Sequence, residues 1–225
     1  MKNDSWAPYG AAAGAIAVAL FLAGSVLTGD RPGFDASGAE IAAQLEDQRT
    51  RMQIGCALLA ATGPFFVWFF STVASLTRDG GPRTRRTGMF VYGCGLVFVT
   101  LFLADITTIA VAALRPENMA SSPELASTLR DLEFLLMGSA AFTVAALFAA
   151  IAVLVLRDKA IWPRWIGWFA AIAAPAYALR VGTLFTTDGP FAADGVFGLW
   201  IPAVTVASWT FVASVELALR IRREP

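Results

Sequence analysis

The sequence predicts an all-α, polytopic transmembrane helical bundle, and three observations carry the prediction. Six long apolar stretches recur along the 225 residues, basic residues crowd every second gap between them, and no segment alternates apolar and polar residues as a strand would. Apolar residues make up 57% of the chain and charged residues 15%, with mean hydropathy +0.63, whereas soluble domains are nearer half apolar and a quarter charged. In lipid every backbone polar group needs an internal partner, which leaves helices or closed barrels, and the absent alternation removes the barrel. A single integral membrane domain over 1–225 is expected, because six spans leave too little chain for a soluble domain.

The expected spans are 9–28, 54–77, 88–114, 134–156, 165–186 and 196–219, each about the ~20 residues that cross ~30 Å of hydrocarbon. The first follows Lys2 as a signal peptide would. Its run is long, however, and no small-x-small cleavage site precedes Asp30, so a retained helix is expected. In the connection 29–53, Ser37-Gly38-Ala39-Glu40 fits a capping box, and Ile41, Leu45 and Met52 fall near one helical face. This predicts a short extracytoplasmic amphipathic helix over 37–52 that runs into the second span. It either packs over the external mouth of the bundle or acts as a lid on a pocket.

Pro64 sits midway through the second span and Pro175 midway through the fifth. Paired breaks of this kind occur in inverted-repeat transporters, although the two halves share no sequence similarity. Small residues four apart, Gly10/Gly14 and Ala141/Ala145/Ala149, predict close packing at the first and fourth spans. Trp162, Trp165 and Trp168 surround Pro163 and Arg164, as an interfacial aromatic belt would. Pro163 is expected to start the fifth helix, Asp188-Gly189-Pro190 to make an external turn, and Pro202 to kink or reset the sixth helix.

Positive charge in short loops marks the cytoplasmic side. The N-terminus, the second and fourth gaps and the C-terminal tail hold eleven basic residues against four acids. Arg78, Arg83, Arg85, Arg86, Arg157, Lys159 and Arg164 supply most of that charge. The other three gaps hold five basic residues and eleven acids. Both termini are therefore expected in the cytoplasm, with the protein multi-pass in the plasma (inner) membrane.

The chain has no histidine, which removes His-ligated haem, His-containing zinc sites and Ser-His-Asp triads. HExxH, Walker and dinucleotide fingerprints are absent too. No metal, cofactor or catalytic residue is expected, and no basic patch suggests nucleic acid. Cys56 and Cys94 are expected in opposite leaflets, beyond the ~7 Å Cα separation a disulfide allows.

Ionisable residues inside spans are functional candidates because burying charge in lipid is costly. Asp105 lies 19 residues beyond Arg86, about 28 Å from the cytoplasmic edge at ~1.5 Å per residue; Arg180 lies 16 beyond Arg164, about 24 Å from it. Matched depth predicts an interhelical Asp105–Arg180 pair in the outer half. It is either a packing ion pair or part of a polar pocket that Thr108 and Tyr177 extend, with Thr107 and Thr183 nearby. Glu216 lies one helical turn from Arg220, its expected partner.

The segments Pro163-Arg164-Trp165-Ile166-Gly167-Trp168, Gly189-Pro190-Phe191-Ala192, Gly195 and Trp200-Ile201-Pro202 resemble a group of uncharacterised actinobacterial six-span membrane proteins. The Glu40–Arg51 segment leading into Gly55 is similar to the same group. The resemblance implies a helical membrane protein and brings no activity, substrate or cofactor.

Three functions fit these residues. The first is binding or transport of a small apolar or amphiphilic molecule through an outer-half polar pocket. The second is an accessory or structural subunit docking to a partner in the bilayer. The third is a His-free membrane enzyme using Asp105 and external carboxylates, the least supported because no nucleophile–base pair is visible.

Overall fold

The structure is a computed structural model that describes residues 6–29, 36–158, 161–186, 189–192 and 194–223. Among the described residues there is no strand. The helices are α1 (Ala7–Thr28), α2 (Gly38–Asp47), α3 (Arg49–Leu76), α4 (Pro82–Leu114), α5 (Pro116–Ser121), α6 (Pro123–Ser139), α7 (Ala141–Leu156), α8 (Arg164–Ala178) and α9 (Ile201–Arg223). Proline stands in the first turn of α1, α4, α5 and α6, where its missing N–H costs nothing and its φ is already helical.

Among the described residues, five stretches are long and apolar enough to cross a membrane: Ala7–Thr28, Arg49–Leu76, Pro82–Leu114, Pro123–Leu156 and Gly189–Ile221. The expected span at 165–186 is divided between α8 and a 3-10 segment, Leu179–Leu184. Pro175 lacks the N–H that would bond the carbonyl of Ala171, and the chain tightens to 3-10 geometry one turn later. The two pieces together rise about 34 Å. Before α9, a π-helical turn, Val196–Trp200, precedes Pro202, so that proline opens a new helix and does not kink an old one.

Helices adjacent in the chain are neighbours in space. α1 packs on α3, α3 on α4, α4 on α7, α7 on α8, α8 on α9, and α9 returns to α1, closing a ring of six. Hydrogen bonds fix its two ends. Arg51 donates to the Val26 carbonyl at 2.7 Å, Arg49 to Leu114 at 2.8 Å and Gln53 to Ala113 at 3.3 Å. Side chains from the start of α3 thus satisfy the orphan carbonyls ending α1 and α4. This explains arginines in a gap that charge sorting would leave acidic. At the other end Thr84 donates to Asp158 at 3.1 Å and Arg220 to the Ile161 carbonyl at 2.6 Å.

The small residues of α1 face α3 and α9 rather than the fourth span. A Cβ on Gly10 would lie 1.8 Å from the Thr72 hydroxyl, and one on Gly14 would lie 2.0 Å from that of Ser214. At the end of the bundle carrying Arg157 and Arg220 the interior is closed by aromatic rings. Trp209 meets Phe148 and Trp162 edge-on, each at 5.6 Å, and Phe69 at 6.3 Å. Trp165 and Trp168 are exposed as a belt requires, but Trp162 is buried, its indole N–H donating to the Ala213 carbonyl at 2.9 Å. It precedes the helix and turns under the bundle, so it anchors packing and not headgroups.

Two helix boundaries differ from expectation at the end of the bundle that carries α2. The helix that carries the expected fourth span begins well before 134: α6 opens at Pro123, and Ala140 keeps right-handed helical geometry, so Pro123–Leu156 runs 34 residues, about 51 Å at ~1.5 Å per residue, longer than ~30 Å of hydrocarbon requires. The amphipathic helix forms with its capping box, Glu40 accepting from the Ser37 N–H at 2.8 Å and the Ser37 hydroxyl accepting from the Glu40 N–H at 3.3 Å. It ends at Asp47 instead of running on. Gln48, at φ −104° and ψ 12°, separates it from α3. The external turn at 188 lies partly outside the described residues; from Gly189, at φ 78°, a 3-10 turn runs to Phe191.

Candidate functional site at the α2 end of the bundle

Asp105 lies on α4 and Arg180 in the 3-10 segment after α8, 8% and 7% exposed. Tyr177, also buried, connects them: its hydroxyl is hydrogen-bonded to Arg180 and lies within electrostatic range of Asp105. The matched depth read from the sequence thus brings these three side chains into one neighbourhood. Arg180 Nε is buried without a hydrogen-bond partner. Thr183, one turn beyond Arg180, packs on α6 so closely that a Cβ on Gly138 would lie 2.5 Å from its hydroxyl.

Thr108 takes a different part. Its hydroxyl donates to the Asp105 carbonyl at 2.7 Å, a bond within its own helix. Thr107 does the same with Leu103 at 2.8 Å. Thr108 also lines a cavity of about 30 Å³, between α2, α4 and α6, with Gln44, Leu45, Ile109, Arg130 and Glu133. That volume suits one or two waters.

The last two residues are functional candidates that sequence reasoning left in a solvated loop. Arg130 and Glu133 approach to 3.6 Å with both side chains more than nine-tenths buried, and the guanidinium lies 4.4 Å over the Phe134 ring. A signal was available. Ser122-Pro123 starts a helix, and from there Ala126, Arg130, Glu133, Phe134 and Met137 recur at one-turn spacing on the buried face. Charges on the apolar face of a helix must pair when that face packs.

Among the described residues, the half of the bundle that carries α2 and α6 thus holds four buried ionisable side chains, Asp105, Arg130, Glu133 and Arg180, two of each sign, on α4, α6 and the 3-10 segment. α6 packs against both of the other elements. Such a set can hold polar or charged groups of a ligand without a net field, and its hydrogen-bonding capacity is sheltered from lipid. Among the described residues no three His, Cys, Asp or Glu side chains converge as a metal site requires, and both cysteines are free and buried.

Above the cavity, the Ser37 hydrogen bonds hold the Glu40 carboxyl below its ordinary value of 4.5. A depressed folded pKa means that the capping contribution is complete above the unfolded value and is lost as pH falls through the folded one. Protection of the first-turn amides of α2, taken relative to their intrinsic exchange rate at each pH, is therefore expected to fall below about pH 4.5 in the native chain. In Glu40→Gln it should show no such step, and an identical profile would assign the step elsewhere.

Compared with protein-family models, with curated proteins and with solved structures, the chain matches none.

Proposed function

We propose that this chain is a six-span plasma-membrane protein, both termini cytoplasmic, that binds a small amphiphilic molecule through the polar cluster of its outer half. The observation that carries the binding reading is the set of four buried charges in one half of the bundle, two of which, Arg130 and Glu133, line a cavity walled on one side by α2. Buried ion pairs contribute little to stability compared with apolar packing of the same volume, so their concentration at one depth favours a use beyond packing. The aromatic closure toward the Arg157 end argues for access from the outer side and against an open pore.

The six-span reading is supported by the closed ring, of which α8 is a member, and by the ~34 Å rise of α8 with its 3-10 extension, enough for ~30 Å of hydrocarbon. The arginines of the Arg83 and Arg157 gaps set the orientation. Single cysteines at Arg83, Ser122 and Phe185, in a chain with Cys56 and Cys94 replaced by alanine, test it. Arg83→Cys should label only from the cytoplasm, and Ser122→Cys and Phe185→Cys only from outside. Labelling of Phe185→Cys from the cytoplasm would leave α8 as a non-crossing helix and reduce the count to five.

Binding is tested by melting the purified protein in detergent with octanoate, octylamine and octanol. Ligand at about 100 times its dissociation constant adds about 2.7 kcal/mol, a shift of several degrees for a chain of this size. At least one probe should raise the melting temperature of the native chain and not of Arg130→Met/Glu133→Leu. No shift with any probe would instead favour an accessory subunit that docks to a partner in the bilayer.

A further inference from the structure

We infer that α2 is a hinged lid on the outer-half cavity, seated through Gly38 on α6 and turning at Gln48. The seat is a backbone contact. A Cβ on Gly38 would lie 2.1 Å from the Pro123 carbonyl oxygen and 2.6 Å from its Cα, so no side chain fits between α2 and the start of α6. The hinge is a single residue. Gln48 donates its N–H to Gln44 at 3.0 Å and accepts from the Met52 N–H at 2.9 Å, so it closes one helix and opens the next with non-helical geometry between them.

The lid is self-supporting. Its capping box satisfies two of the four first-turn donors internally, so lifting it leaves those two paired. Its buried residues are Gly38, Ile41, Ala42 and Leu45, and of α2 only Ile41, Gln44 and Leu45 reach the cavity wall. The rest of the wall belongs to α3, α4 and α6, each packed along its length into the bundle. α2 is therefore the one wall that moves without unpacking a spanning helix.

The small volume gives the movement its purpose. About 30 Å³ admits water and excludes an amphiphile, whereas small-molecule sites occupy about 300–1,000 Å³. Room for a ligand beside Arg130, Glu133 and Thr108 requires this cavity to widen, and α2 is the wall that swings out to widen it. That consequence rests on the binding reading above; the hinge itself does not.

The experiment places a cysteine at Thr108, beneath the lid, in a chain with Cys56→Ala and Cys94→Ala. Its reaction with a membrane-impermeant methanethiosulfonate reagent is followed from outside, with Ser122→Cys as an exposed reference. Gly38→Val should unseat the lid and speed modification of Thr108→Cys by about tenfold or more, the population change that overpacking at a close contact brings. The Ser122→Cys rate should stay the same. Equal Thr108→Cys rates with and without Gly38→Val overturn the lid, whether both are fast or both are nil. If Gly38→Val fails to fold, amide exchange of the native chain decides the matter. Residues 38–47 exchanging together, faster than 130–137, support the lid; equal protection of the two segments overturns it. Whichever way the lid is decided, the melting experiment with octanoate, octylamine and octanol judges the binding reading separately.

Discussion

Arg180→Ala and Asp105→Ala should each lower the melting temperature of the purified protein by about 10 °C, and the double variant should lose less than the sum. Removing one partner from a buried charged set leaves the other uncompensated in a medium that solvates it poorly. That typically costs ~3–5 kcal/mol, and for a chain of this length each kcal/mol moves the midpoint by about 2–4 °C. The Tyr177 hydroxyl bonds Arg180 and lies within the field of Asp105, so the three side chains should respond as a coupled unit. Tyr177→Phe should cost less than either charge deletion, because it removes one hydrogen bond and leaves both charges in place. The full cycle is the decisive measurement. A coupling above about 0.5 kcal/mol establishes interaction, whereas strictly additive single effects mean that Asp105 and Arg180 answer to different partners. An Arg180→Ala variant as stable as the native chain would show that the guanidinium reaches the outer headgroups, as long arginines do.

Trp209→Ala should be at least as damaging, by about 3–5 kcal/mol, the usual cost of deleting a buried large aromatic whose neighbours collapse only partly. Trp209 is 2% exposed, meets Phe148 and Trp162 edge-on at 5.6 Å, and reaches Phe69 at 6.3 Å. Those rings belong to α3, α7, α9 and the approach to α8, so one deletion loosens four parts of the ring at once. Each edge-on pair adds ~0.5–1.5 kcal/mol beyond its buried area. Trp209→Phe should recover at least half of the loss. Its smaller ring still fills most of the site, and it removes an indole N–H that has no hydrogen-bond partner. The check is the melting midpoint together with near-ultraviolet circular dichroism, where Trp162 reports on the cluster. A Trp209→Ala variant with native melting and native aromatic signal would mean that the closure at this end is not a packed core.

The sequence by itself determined the helical class, the apolar stretches and the caps, because these depend on neighbours within a turn or on transfer from water to lipid. Composition and run length specify helices of spanning length. Ser37 and Glu40 are three residues apart and cap each other wherever the helix lies. The depth of Asp105 and Arg180 followed from counting along rigid helices, and Tyr177 sits one turn from Arg180 by the same arithmetic.

Only the tertiary structure decided which faces are inside. Arg130 and Glu133 look like loop residues until Pro123 is seen to open a helix whose charged side packs against α2 and α4. Trp162 carries the composition of an interfacial anchor, and burial under α9 makes it core. Arg49 and Arg51 sit against the charge rule because the helix ends they cap come from elsewhere in the chain, 65 and 25 residues away. The division of the 165–186 span between α-helix and 3-10 geometry depends on how the chain beyond Pro175 settles against Gly138 of α6. In each case the deciding partner is distant in sequence, and hydropathy and spacing register only neighbours.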